Sequence, residues 1–162
     1  MFLLNELDST LSAYAYNAPL GRLGQLLVTL TTLPPGTPPP APNATSEYGA
    51  GEVHTSADGR FVYASNRGPT SSIVVFEVVE DPVSYMLNLS YVGAETGGGD
   101  VQWPRDFDLD PSGNWLLVAN ERGGSTTLFA VNRTTGMLTK VNTSATNPGP
   151  QFVGWRPVGF SK

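Results

Sequence analysis

The sequence contains no cysteine and a single histidine, His54. The first absence excludes a disulfide framework, a thiolate metal site and a cysteine nucleophile, and one imidazole is too few for a histidine-based zinc centre. Charge is also scarce. Only nine lysines and arginines face fourteen acids, a net charge of −5 with 14% charged residues, so no basic footprint exists for nucleic acid or an anionic membrane surface. Neither is expected as a partner. Long apolar runs are missing too: Leu23 to Leu33 is broken by Gly24, Gln25 and three threonines, far short of the ~18 apolar residues of a membrane helix. The opening residues, Met-Phe-Leu-Leu-Asn-Glu-Leu-Asp, run into acids too early for the apolar region of an export signal. A cytoplasmic chain is the default expectation, although four Asn-Xaa-Ser/Thr sequons at Asn43, Asn88, Asn132 and Asn142 leave secretion open.

What the chain has in abundance is turn chemistry. Eighteen glycines and fourteen prolines among 162 residues are about a fifth of the chain, against roughly 12% in an average protein. No stretch reads as a helix. Short β-rich segments recur instead. Phe61 to Arg67 reads Phe-Val-Tyr-Ala-Ser-Asn-Arg and Trp115 to Glu121 reads Trp-Leu-Leu-Val-Ala-Asn-Glu, each after a turn with glycine (Asp58-Gly59, Pro111-Ser112-Gly113). Gly59 maps to Gly113 and Asn66 to Asn120, 54 residues on, while Phe76 maps to Phe129, 53 residues on. Phe2-Leu-Leu-Asn5 and Leu11-Ser-Ala-Tyr14 form an earlier, partial copy lacking its front.

Each full unit reads as four short strands, the pattern of an antiparallel propeller blade at ~40 to 50 residues per repeat. The predicted strands of the middle unit are Val53–Ser56, Phe61–Asn66, Ile73–Val79 and Met86–Val92. Those of the last are Phe107–Leu109, Trp115–Asn120, Thr127–Asn132 and Met137–Asn142. The tail, Pro150 to Trp155, reads as one more strand. Pro34 to Ser46, with six prolines, reads as an irregular or polyproline loop. The expected division is therefore a partial blade over 1–33, a proline-rich loop over 34–47, blades over 48–98 and 99–149, and a closing strand and tail over 150–162. Phe61, Phe76, Trp115 and Phe129 are expected to pack between blades.

Three stretches carry a resemblance to a known family: Asn5 to Tyr14, Gly51-Glu-Val-His-Thr-Ser-Ala-Asp-Gly-Arg-Phe-Val-Tyr-Ala-Ser-Asn-Arg-Gly68, and Trp103-Pro-Arg-Asp-Phe-Asp-Leu-Asp-Pro-Ser-Gly-Asn-Trp-Leu-Leu-Val-Ala-Asn120. They resemble the lactonase-type seven-bladed β-propellers, which include 6-phosphogluconolactonase and carboxy-cis,cis-muconate cyclase. The resemblance implies an all-β protein, about three four-stranded antiparallel blades from the C-terminal part of such a ring, working without metal or organic cofactor. It implies a small anionic lactone or muconate-type substrate, with self-association through open blade faces as a further expectation. Three functions stay open: lactone hydrolysis, lactone-forming isomerisation, and a non-catalytic segment that serves as an interaction module.

In an antiparallel blade the start of the first strand and the end of the second share a rim. Glu52 and His54, two apart on a strand, share a face; Asn66 and Arg67 return to that rim, and the next unit adds Arg105, Asp106, Asn120, Glu121 and Arg122. The resemblance carries Glu52, His54 and Arg105 as catalytic candidates and Arg67 as a substrate-binding one. Asn66, Asn120 and Arg122 are further substrate-binding candidates. Arginines hold carboxylates or phosphates by bidentate hydrogen bonds, and Glu52 or His54 can deprotonate a water that attacks a lactone carbonyl. Each has a structural alternative. His54 can tie two strands, the asparagines can bridge turns, and Arg67 and Arg122 can pair with Glu52, Asp106 or Glu121 at the rim. The family often has histidine after the arginine where this chain has Arg105-Asp106, and the acid would offset the charge of Arg105. Asp106, Asp108 and Asp110 alternate but lack the glycine and bidentate glutamate of a calcium loop, so Asp110 reads as the start of a turn.

Overall fold

The computed structural model describes residues 1–38, 40, 48–80 and 87–156. Eleven strands run in chain order: β1 (Phe2–Asn5), β2 (Thr10–Asn17), β3 (Arg22–Thr31), β4 (Gly49–Thr55), β5 (Phe61–Arg67), β6 (Ser72–Glu80), β7 (Leu87–Glu95), β8 (Pro104–Leu109), β9 (Trp115–Asn120), β10 (Ser125–Val131) and β11 (Leu138–Ala145). They form three antiparallel sheets, β1-β2-β3, β4-β5-β6-β7 and β8-β9-β10-β11, every strand pairing with its sequence neighbour. This up-and-down order, repeated as separate sheets whose faces stack, is the arc of a propeller. The only helical turns among the described residues are single 3-10 turns at Ala18–Leu20 and Gly97–Gly99.

The middle sheet explains why the repeats read as nearly continuous apolar runs. All seven residues of β5 are buried, because both of its faces are covered. Phe61, Tyr63, Ile73 and Val75 pack with Phe107, Leu116, Val118 and Phe129 of the third sheet. Val62, Ala64, Val74 and Phe76, pointing the other way, pack with Leu11 and Ala13 of the first. Burying one such aromatic contributes about 1.5–3 kcal/mol. Gly136, at φ +74, turns the last hairpin onto the middle sheet: a Cβ there would lie 2.5 Å from Phe61 Cδ1. Its carbonyl accepts the buried Tyr63 hydroxyl at 3.0 Å.

Several expectations need correction. The inner strands start earlier than predicted, β4 at Gly49 and β8 at Pro104, because bulges carry pairing past residues whose composition reads as loop. β3 has no counterpart among the predicted strands; it is an outer strand, mostly exposed, and its leucines and valine do not alternate along it. Trp115 is 40% exposed on the outer face of the third sheet and fills no interface between sheets. Gln151 to Arg156 is not a strand. Its amides meet side chains and not a backbone ladder: Val153 N donates to Asp106 Oδ2 at 2.7 Å and Trp155 N to Asp108 Oδ2 at 3.4 Å. Met86, the sequon at Asn43 and most of the proline-rich loop lie outside the described residues.

Candidate functional site

β4 and β8, the first strands of their sheets, lie side by side, with β1 against the other side of β4. Both inner strands carry a bulge at the same repeat position. In β4, Gly51 and Glu52 stand opposite one residue of β5, between the pairs Ala50↔Asn66 and Val53↔Ala64. In β8, Arg105 is the extra residue between Pro104↔Asn120 and Asp106↔Ala119. Bulges re-aim side chains at the ends of strands, and these two aim Glu52, Arg105 and Asp106 into one cavity of ≈ 360 Å³ whose lining also includes Glu6, Arg67 and Phe152. Gly51 permits the approach. A Cβ there would meet Ser65 Oγ at 2.7 Å and the Pro104 carbonyl at 2.9 Å.

Within this cavity the groups are sharply differentiated. Glu52 is half-buried, its amide donating to Ser65 Oγ at 2.9 Å and its Oε1 accepting Val53 N at 2.9 Å. His54 lies between two acids, with Nε2 3.8 Å from Glu52 Oε1 and Nδ1 3.8 Å from Asp108 Oδ1. Its ring tilts against Phe107 at 5.3 Å. Its side chain makes no hydrogen bond among the described residues, so the imidazole does not tie two strands by hydrogen bonds as its structural alternative required. Asp106 is buried at 7% exposure. Burial raises its carboxyl above the usual value and the negative charge of the adjacent Glu52 raises it further; the Val153 amide and the charge of His54 oppose the shift.

The five arginine and asparagine candidates of the rim divide differently from the sequence expectation. Arg67 is buried; its Nη2 pairs with Glu6 and donates to the Ala50 carbonyl at 2.8 Å, so its partner is none of the acids expected for it. Its Nε is buried without a hydrogen-bond acceptor. Arg122 is exposed and pairs with no acid; its guanidinium stacks 3.3 Å from the centre of the Trp103 ring, a cation–π contact. That places it in a separate groove of ≈ 820 Å³ between the turns of the second and third sheets, lined also by Ser71, Val101 and Gln102. Arg105 is exposed at the cavity and has no ion pair among the described residues. Asp106 forms no ion pair with it among the described residues, and its carboxyl accepts from Val153 N instead.

Asn66 and Asn120 are not presented to any ligand. Both are fully buried. Asn66 Nδ2 donates to the Thr32 carbonyl at 2.6 Å and to Ser72 Oγ at 3.3 Å, while its Oδ1 accepts from Thr32 Oγ1 at 2.6 Å. Asn120 repeats the pattern, donating to Ser125 and Thr127 hydroxyls and accepting from Gln102 N; Asn5 does the same towards Thr10 and Ser12. The substrate-binding expectation for these two residues is corrected: the asparagine ties the end of a blade's second strand to its third, and in the two full units to the incoming linker. Asp110 closes its turn, accepting from the amides of Ser112, Asn114 and Trp115.

Sequence reasoning left Glu6 out of the site, weighed Asp108 only in a calcium pattern that it set aside, and took Asp106 as a rim ion-pair partner and an offset to Arg105 and not as a site residue. The 54-residue repeat held the missing signal, since it sets Asp106 on Glu52 and Asp108 on His54. Trp103 carried no signal of its groove. It adopts φ +57, a left-handed conformation rare for a bulky residue, pinned by Ser71 Oγ at 3.1 Å and by Glu121 N on its carbonyl.

Three stacked antiparallel sheets whose innermost strands carry the polar cavity define the chain as a β-propeller protein. Residues 1–155 match the family described as Lactonase, 7-bladed beta-propeller, and the chain belongs to that family. Among its relatives, a 6-phosphogluconolactonase of Bacillus subtilis is 32% identical over 152 residues, covering 94% of this chain and 39% of the relative. A Lactobacillus plantarum protein of known crystal structure superposes with a TM-score of 0.76 at 30% identity, over 92% of this chain and 39% of its own. A putative 6-phosphogluconolactonase of Bacteroides fragilis gives 0.72 at 29%, over 93% and 36%. The chain thus spans about two fifths of the length of these relatives.

Proposed function

We propose that this chain supplies one wall of a lactone-hydrolysing site, acting on a small sugar lactone that bears an anionic group. The observation that carries the reading is the convergence of Glu52, Arg105 and Arg67 on the cavity at the bulged ends of β4 and β8, in a family whose named relatives include 6-phosphogluconolactonases. Glu52 is the base that takes a proton from the attacking water, with His54, 3.8 Å away, as the neighbour that receives or returns it. Arg105, exposed and without a carboxylate partner, holds the anionic group of the substrate by charge-assisted hydrogen bonds. Arg67 keeps Glu6 and the start of β4 in place. Lactone formation would use the same groups in reverse; the named relatives are hydrolases, and hydrolysis is the direction taken here.

Two open sheet faces support association with a second copy. Leu3, 45% exposed, lies on the free face of the first sheet, because Phe2 and Leu4 on either side of it face inward. Trp115, 40% exposed, and Leu117 lie on the free face of the third sheet, opposite Leu116 and Val118. By the repeat, Trp115 and Leu117 correspond to Phe61 and Tyr63, the face that covers the next sheet inside the chain. A head-to-tail contact of this kind extends the arc.

Proton release from a phosphorylated and an unphosphorylated gluconolactone, followed at constant pH on fractions of known mass from light scattering, tests both statements. The expected result is catalysed hydrolysis that favours the phosphorylated lactone and peaks with an oligomeric fraction. Release at the uncatalysed rate in every fraction would overturn the hydrolase reading, and a monomer throughout would overturn the association.

A further inference from the structure

We propose that the groove between the turns of the second and third sheets is a binding site for a small organic anion, a carboxylate or phosphate carried on a compact body. Arg122 holds the anionic group and Trp103 holds Arg122. The site shares no lining residue with the cavity at β4 and β8, and it does not depend on the hydrolase reading.

Three connections build the groove. The turn from β5 to β6 contributes Ser71, the segment from β7 to β8 contributes Val101, Gln102 and Trp103, and the turn from β9 to β10 contributes Arg122. Trp103 is left-handed at φ +57, a conformation that a bulky residue adopts only where its surroundings enforce it. Both neighbouring turns enforce it. Trp103 N donates to Ser71 Oγ at 3.1 Å, and the Trp103 carbonyl accepts from Glu121 N at 3.1 Å. Ser71 Oγ is itself fixed, donating to the Gly68 carbonyl at 2.7 Å. The strained backbone serves the placement of one ring.

That ring keeps a cation open. Arg122 Cζ lies 3.3 Å from the centre of the Trp103 ring, a separation at which the planar guanidinium lies flat on the indole. Its five N–H donors then point outward in the plane of the group. None meets an acceptor among the described residues, and no carboxylate lines the groove. The other guanidinium near this ring, Arg67 at 6.0 Å, is engaged by Glu6 and the Ala50 carbonyl and belongs to the cavity. A free arginine loses rotamer freedom when it grips a ligand, whereas one already stacked has its fork in place. Such a fork donates two parallel hydrogen bonds to a carboxylate or phosphate.

The remaining walls give the ligand a body. The groove holds ≈ 820 Å³, within the range of roughly 300–1,000 Å³ usual for small-molecule sites and far more than a bare ion fills. Val101, 3% exposed, and Trp103 offer apolar surface. Gln102 Nε2 donates to the Gly99 carbonyl at 3.3 Å, which turns the amide oxygen into an acceptor for a ligand hydroxyl or N–H. The Gln102 backbone is fastened to the blade, its N donating to Asn120 Oδ1 at 3.2 Å. Cation, apolar wall and amide acceptor thus stand on anchored backbone.

Calorimetric titration of the intact chain with phenyl phosphate, benzoate and inorganic phosphate tests the site. The indole N–H resonance of Trp103 reports the place of binding; with three tryptophans in the chain, it is assigned by elimination through Trp115→Phe and Trp155→Phe. The expected result is that the organic anions bind and shift the Trp103 resonance, and that inorganic phosphate binds more weakly than phenyl phosphate because it leaves Val101 uncovered. Binding of only one organic anion supports the site and names its head group. Arg122→Ala, at an exposed side chain, should weaken binding about 10-fold or more, and Arg122→Lys should recover only part of that loss, since an ammonium keeps the charge without the flat fork. Full recovery with lysine would overturn the stacked fork, and phosphate binding as tightly as phenyl phosphate would overturn the organic body. No binding of either organic anion, or binding that survives Arg122→Ala and is lost in Arg105→Ala instead, would overturn the site.

Discussion

The middle and last units share one backbone plan, and they differ in which repeat positions keep their residue. Asn66 and Asn120 are identical and fully buried, with matching hydrogen bonds to the third strand and to the linker entering the blade. Gly51 and Arg105, Glu52 and Asp106, His54 and Asp108, and Arg67 and Glu121 are pairs in which the residue changes, and five of these eight line the cavity at β4 and β8. Where the two units agree, the residue serves the blade. Where they disagree, Gly51 and Arg67 still serve packing and the β4 start, while Glu52, Arg105 and Asp106 are the changed residues that turn polar groups to the cavity.

The largest test of that comparison removes the shared residue. Asn66→Ala strands the Thr32 carbonyl inside the protein and leaves the Thr32 hydroxyl only the Ser9 carbonyl, which should cost about 2–3 kcal/mol, with Asn120→Ala costing a similar amount, both read from urea unfolding. A loss below ~0.5 kcal/mol at either position would break the comparison. Arg105→Ala, at a changed position, should leave stability within ~0.5 kcal/mol and raise KM for a phosphorylated lactone about 10-fold or more, an effect measured against the unphosphorylated lactone in parallel.

Asp106 gives a pH signature. Its carboxyl is raised above the ordinary 3.8, so the folded protein binds that proton more tightly than the unfolded chain. The associated stability is fully present below the ordinary value and is lost as pH rises through the folded one. Asp106→Asn should therefore flatten the change in unfolding free energy between acidic and neutral pH, and a wild type whose stability shows no such component would contradict a raised Asp106 carboxyl. A smaller effect is expected at Tyr63, whose phenol burial pushes up to about 12. Tyr63→Phe loses its bond to the Gly136 carbonyl, about 1 kcal/mol, and abolishes the decline in stability that the wild type should show as pH rises from 10 towards 12.

The fold was largely legible because the middle sheet is covered on both faces, which writes its strands as uninterrupted apolar segments such as Phe61 to Ala64. β3 was illegible for the converse reason. In a mostly exposed outer strand, Leu23, Leu26, Leu27, Val28 and Leu30 need not alternate, and Gly24 and Gln25 interrupt them. The site was legible in part: Glu52, Arg105 and Arg67 meet at one cavity, as a shared rim requires. Arg122 does not join them, because the ring of Trp103 holds it in the neighbouring groove. The tail misled for a chemical reason. Its amides find the carboxylates of Asp106 and Asp108, and a side chain that takes the place of a ladder leaves no pattern in the tail's own residues.

The most direct measurement is the rate of proton release from a phosphorylated gluconolactone by the wild type and by Glu52→Gln, compared at equal concentration after circular dichroism has shown the same fold. A Glu52 that acts as the base predicts a fall in kcat of about 100-fold or more with unchanged stability. Equal rates, or no rate above the uncatalysed one in the wild type, would contradict the assignment of this cavity as a hydrolytic site.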